Sequence, residues 1–157
     1  MEVDRFCNFL FEDENKNRKL LFEKALQHSK EGKVLYIMQE ELTELPDLSQ
    51  DLSTMERNYM KFISFLYVPN TIHLIESLSS LPDWQNVPST VILDSLDKFA
   101  NRNNVQNACG IIAMLQDSCA SCSKVINSKC KLFVSASKEK VGEDYCNLIQ
   151  EIYGFFY

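Results

Sequence analysis

Glycine is scarce in this chain: four residues in 157, Gly32, Gly110, Gly142 and Gly154, where average usage predicts about eleven. No two lie close together, so no glycine-rich loop that closes backbone N–H groups around a phosphate is encoded. Histidine is scarcer still. His28 and His73 are the only two, and neither lies in an arrangement with serine, cysteine and carboxylate that reads as a triad. No apolar run approaches the roughly 18 residues that span a bilayer, and the charged start Met1-Glu-Val-Asp-Arg has no secretory signal. Cationic excess is missing too. Sixteen Lys and Arg face 22 Asp and Glu, a formal net charge of −6. That balance argues against a free-standing nucleic-acid binder. Together these shortages point away from an enzyme and away from a membrane.

What is present suits one folded domain over 1–157. The chain is 45% hydrophobic and 24% charged, ordinary for a globular protein. An intracellular chain keeps its six cysteines as thiols.

Short apolar runs alternate with helical patterns. Strands are expected at 6–11, 33–38, 61–68, 89–94, 130–136 and 152–157. Helices are expected at 14–31, 54–60, 71–81, 103–128 and 142–151, with an acidic loop over 39–53. Gly32 is expected to end the first helix, and Ser53 or Thr54 to cap the second. The apolar runs are continuous rather than alternating, as in strands buried on both faces. Strand–helix alternation then predicts an α/β three-layer sandwich with a mostly parallel sheet.

Four places invite a chemical reading. After the first strand, where a phosphate loop would lie, the chain reads Glu12-Asp-Glu-Asn-Lys-Asn-Arg-Lys19. It has no glycine and three acids, so it reads as a solvated helix start. The strand Thr90-Val-Ile-Leu-Asp94 has the form of a Walker B strand, whose acid holds Mg²⁺ in P-loop ATPases; without a phosphate loop Asp94 reads as vestigial. Cys119-Ala-Ser-Cys122 has redox or zinc spacing. Both thiols, however, fall on the stripe Val105, Ala108, Ile112, Leu115, Cys119, Cys122, Ile126, and read as core, with Cys130 close enough in sequence to join them. Phe22-Glu-Lys-Ala25 has the F-x-x-A spacing that recombinases insert into a neighbour's pockets. Phe22 is expected at the edge of its helix stripe, partly exposed, so Phe22 and Ala25 are the candidate partner-binding pair. Phe133-Val-Ser-Ala136 repeats the spacing across a strand and is not favoured.

The stretches KVLYIMQEELTELP (33–46), YMKFISFLYVPNTIHLIESLSSLP (59–82), STVILDSLDKFA (89–100) and KLFVSAS (131–137) together resemble a family of recombinase paralogs. This is the small RecA-like subunit that associates with a SWIM-domain zinc-finger protein in the animal Shu complex. The resemblance covers most of residues 8–157 at low identity. It implies a RecA-like P-loop-type core and a nuclear, non-catalytic role in homologous recombination and DNA repair. The implied partners are the SWIM-domain protein, in a heterodimer, and a RecA-type recombinase, with single-stranded DNA met through the complex only. Vertebrate-type members keep a recognisable P-loop; this chain departs across Phe11–Lys19, so no nucleotide cofactor, metal or catalytic residue is carried over. Asp94 matches the Walker B acid, and Phe22–Ala25 falls on an F-x-x-A-like element. The competing expectations are a DNA-stimulated ATPase with an atypical phosphate loop, or an adaptor of the same fold in an unrelated assembly.

Overall fold

A computed structural model describes residues 7–44, 46 and 54–156. Its core is one six-stranded parallel sheet. The strands are β1 (Cys7–Leu10), β2 (Val34–Met38), β3 (Ile63–Tyr67), β4 (Thr90–Leu93), β5 (Lys131–Ser135) and β6 (Gly154–Phe156), in the order β3-β2-β4-β5-β1-β6. The helices are α1 (Glu14–Ser29), α2 (Thr54–Tyr59), α3 (Thr71–Ser80), α4 (Val105–Ile126), α5 (Lys138–Val141) and α6 (Glu143–Tyr153). The predicted α/β sandwich with a parallel sheet is therefore present.

The layers follow from strand periodicity. Successive residues of a strand point to opposite faces, so β2 divides itself: Val34, Tyr36 and Met38 join one core, Leu35 and Ile37 the other. The first core is closed by Leu21, Phe22, Ala25 and Leu26 of α1. The second is closed by Leu74 and Leu78 of α3, Ile111, Ile112 and Leu115 of α4, and Tyr145 and Ile149 of α6. Right-handed crossovers place the helices this way. The β1-to-β2 and β2-to-β3 connections run toward the β3 edge over one face. Those to β4, β5 and β6 run back over the other.

Two local expectations are corrected. Gly32 does not cap α1 in a left-handed conformation; Lys30 is the cap residue. Glycine is needed at 32 because an added Cβ would run into the Ser89 hydroxyl. The left-handed cap occurs at Asn127, which ends α4 at φ 54°. Phe22 is not an edge residue: it and Ala25 are both 0% exposed. The ring of Phe22 lies 6.5 Å from that of Phe65 on β3, so the apolar stripe of α1 is wider than its leucines suggest, and the pair has no free surface with which to dock. The expected cap at Ser53 or Thr54 concerns side chains outside the described residues.

Candidate functional site at the carboxyl end of the sheet

In parallel α/β sheets ligands bind beyond the carboxyl ends of the strands, and both the β1–α1 turn and Asp94 lie at that end. The connection from β1 to α1 is three residues long, Phe11, Glu12 and Asp13. Asp13 caps the helix: its Oδ1 accepts the Lys16 N–H at 2.9 Å, placing a carboxylate on the donors an anion would use. Asn17, 2% exposed, closes the turn from behind. Its Oδ1 accepts the Glu12 N–H at 3.0 Å. Its Nδ2 donates to the Glu12 carbonyl at 3.0 Å and to the Ala136 carbonyl at 3.1 Å. One side chain thereby ties the β1 turn to the end of β5.

Asp94 follows β4 and is 1% exposed. Its Oδ2 accepts the Tyr36 hydroxyl at 2.7 Å and the Arg18 Nε–H at 2.9 Å. Its Oδ1 accepts the Ser95 hydroxyl at 2.8 Å. Ser95 stands in the left-handed region at φ 69°, a costly position for a residue with a Cβ. It is held there by a hydrogen bond from its N–H to Ser135 Oγ at 2.9 Å. Burial works against the Arg18 charge, yet its bond to Asp94 and the Asp94 charge outweigh this and hold the guanidinium above its ordinary pKa. Burial, and then the Asp94 charge, push Tyr36 up, so it stays a hydrogen-bond donor.

Around this centre runs a second ring of charge. Glu14 meets Lys98 at 2.8 Å, Lys140 at 3.2 Å and Arg18 at 3.5 Å. The Lys98 hydrogen bond is the main reason its carboxyl titrates below the ordinary range. The three cations come from the β4 exit, from α5 and from α1, so Glu14 binds three connections together. Asp97 adds a fourth tie, accepting the Ser137 N–H at 3.0 Å. Outside the ring lies a hollow of about 710 Å³ bounded by Lys16, Lys19 and Lys98 on one side and Glu40, Glu41 and Glu44 on the other.

Chemically the Asp94 carboxylate is engaged from within: Arg18 and Tyr36 donate to Oδ2 and Ser95 to Oδ1, three donors for its roughly four acceptor sites. No family model matches the chain, and no curated protein matches it.

The other candidates separate cleanly. Cys119 (5% exposed) and Cys122 (0%) lie in the core beneath α4. Cys130 is hydrogen-bonded to both. Its thiol also lies 3.4 Å from the Pro88 carbonyl. Its contact with Cys122, then burial, push the Cys122 thiol far up, which disfavours the thiolate that redox and metal chemistry require. Among the described residues no group of His, Cys, Asp or Glu has the geometry to hold a metal ion. His28, in the last turn of α1, is buried 5.4 Å from the Phe133 ring, and burial lowers its pKa. His73 is exposed and turned onto its own helix cap, Asn70 Oδ1, at 2.9 Å. No helix among the described residues is long and apolar enough to cross a membrane.

Arg18, Tyr36 and Asn17 carry the site and were not singled out from the sequence. Arg18 and Asp94 are 76 positions apart, and only the parallel order brings them together. The one available signal was the lone aromatic hydroxyl, Tyr36, inside an otherwise aliphatic strand.

Proposed function

We propose that this chain is a RecA-like core whose nucleotide site has been filled by its own side chains, and that it works as a non-catalytic subunit of a recombinase-mediator complex of the Shu type. The observation that carries the reading is the commitment of Asp94 to Arg18, Tyr36 and Ser95. The sheet order supports it. The acid-bearing strand β4 is separated from β1 by one strand, β5, so α1 and Asp94 converge over the same carboxyl end. In this reading the chain acts in the nucleus, pairs with a SWIM-domain zinc-finger protein and supports a RecA-type recombinase. Apolar side chains left outside the core suit such a role: Tyr67 and Ile72 at the β3–α3 corner, Leu148 and Ile152 on α6.

The test is co-purification of the chain with a SWIM-domain partner from its own cells. Recovery of the pair supports the reading; a stable complex with other proteins and no SWIM-domain chain favours an adaptor role instead. One observation favours the ATPase alternative, the placement of Asp94 at a Walker B position. It requires the Arg18–Asp94 pair to open on nucleotide binding, and ATP-dependent quenching of that pair's stabilisation in a melt would reveal it.

A further inference from the structure

The outer strands of the sheet are β3 and β6, and β3 is the longer, Ile63–Tyr67 against Gly154–Phe156. Successive residues of a strand turn their N–H and C=O groups to opposite sides. The Val68 N–H donates to the Met38 carbonyl of β2 at 3.0 Å, so Leu66 and Ser64 also face β2, while Ile63, Phe65 and Tyr67 face outward. The Ile63 N–H is engaged by the Met60 carbonyl. Among the described residues no strand pairs with the outward groups of Phe65 and Tyr67. Such an edge is a template for another strand, which proteins commonly blunt with a charge or a proline inside it. Ile63-Ser-Phe-Leu-Tyr67 holds neither. Beside the edge it presents two stacked rings, Phe65 and the exposed Tyr67, with centres 6.5 Å apart.

Charge gives the edge a direction. At the amino end of the sheet, the segments entering β2, β3, β4 and β5 are residues 30–33, 60–62, 81–89 and 124–131. They hold six lysines, Lys30, Lys33, Lys61, Lys124, Lys129 and Lys131, against two carboxylates, Glu31 and Asp83. Two of these lysines flank the start of β3: the ammonium groups of Lys33 and Lys61 lie 4.6 and 5.3 Å from the centre of the Phe62 ring. Lys33 also borders a cleft of about 400 Å³ that opens toward the edge at Ser64. At the carboxyl end, the residues that leave β2 include Glu40, Glu41 and Glu44, all exposed, and no cation over 39–44. A second copy running parallel would set like charge beside like. Running antiparallel, it sets each basic end beside an acidic one.

The unpaired groups also select a register. Two antiparallel copies centred on Leu66 place Phe65 opposite Tyr67 of the second copy, and Tyr67 opposite its Phe65, so the outward N–H and C=O groups of both residues are all paired. The same register sets Ile63, whose N–H is engaged, opposite Pro69, which has no N–H to offer. We propose that this chain forms a closed two-fold dimer by antiparallel pairing of β3 with β3 of a second copy, with Lys33 and Lys61 of each facing Glu40 and Glu41 of the other. An isologous contact of this kind closes on itself and leaves no β3 edge for further growth. It rests on these residues alone, whatever larger complex the chain belongs to.

The test is sedimentation velocity on the full chain from about 1 µM to about 1 mM. The expected result is a shift from monomer to dimer with nothing larger, and a midpoint that weakens with added salt. Lys61→Glu and Glu41→Lys should each weaken dimerisation by about tenfold, because each reversal acts twice in a two-fold dimer. Combining them should regain most of the loss. Amide exchange followed by NMR locates the contact: Ser64 and Leu66 should be protected at every concentration, Phe65 and Tyr67 only as the dimer forms. Tyr67→Pro removes one outward N–H and should yield a folded monomer. A chain that stays monomeric throughout, or a mass that rises past the dimer, overturns the proposal. So does a dimer in which Phe65 and Tyr67 remain unprotected, or one indifferent to both charge reversals. Protection of the two amides in dilute monomer would mean that the chain covers its own edge, and equally overturns it.

Discussion

The two ends of the sheet solve opposite problems with the same strands. At the carboxyl end acids outnumber bases in the segments that leave the strands, yet every charge near the centre is answered: Asp94 by Arg18, Glu14 by Lys98 and Lys140. At the amino end lysines outnumber carboxylates, and two of them rest on an aromatic ring. The first end is a finished network with little left to offer a ligand. The second holds Lys33 beside an open cleft and over the Phe62 ring. The net charge of −6 averages these two unlike ends.

The comparison is broken most severely from beneath. Phe22→Glu places a carboxylate in a fully buried position under the closed end, and should cost about 4 kcal/mol or more, enough to leave the chain unfolded by circular dichroism. A folded Phe22→Glu protein would show that α1 can turn its Phe outward after all. Next comes Arg18→Ala, which strands the buried Asp94 carboxylate and should remove about 3 kcal/mol in urea unfolding; Asp94→Asn, which keeps hydrogen-bonding capacity, should cost less.

Acid should separate the two ends. Burial lowers the folded-state pKa of His28 at the amino end, while the Lys98 bond, against burial, lowers that of Glu14 at the carboxyl end. For both, the unfolded chain takes up its proton first as pH falls, so stability declines with falling pH. The His28 contribution fades from about pH 6.5 downward and the Glu14 contribution from about pH 4.5 downward. Melting temperature against pH should therefore fall in two stages. His28→Leu should erase the upper one and Glu14→Gln should shrink the lower, which Glu31, also held low chiefly by its hydrogen bond from Lys131, shares; a single shared transition would refute the assignment.

Nucleotide should sharpen the contrast. Calorimetry with millimolar ATP, with or without Mg²⁺, should give no saturable isotherm at the closed end; an isotherm abolished by Lys19→Ala would reopen it. The smallest effect is expected at the open end, where Lys61→Ala should change unfolding stability by less than about 0.5 kcal/mol.

Much of this architecture can be read from the chain. The runs KVLYIM and STVILD are apolar at every step because their strands are covered on both faces, and that is legible without coordinates. Strand order is not, because a parallel crossover imposes no sequence spacing on the pairs it creates. Arg18 meeting Asp94, or Asn17 reaching Ala136, depends wholly on that order. The misplacement of Phe22 has a different origin. The leucines of α1 define a stripe centred between Leu21 and Ala25, but the edge strand β3 offers Phe65 as a further wall. The buried arc therefore widens to take in one more position.

The turn closed by Asn17 also limits what substitution can build at this end of the sheet. A phosphate-binding loop needs about six residues between strand and helix, with glycines at both ends, and here only three connect them. Point substitutions can remove the amide that ties Glu12 to Ala136, and can remove Asp13 from the helix start, but they cannot supply backbone. An anion cradle here would require an insertion into a buried turn that is tied to the end of β5. The amide that stabilises the turn thereby keeps such a loop beyond the reach of single substitutions.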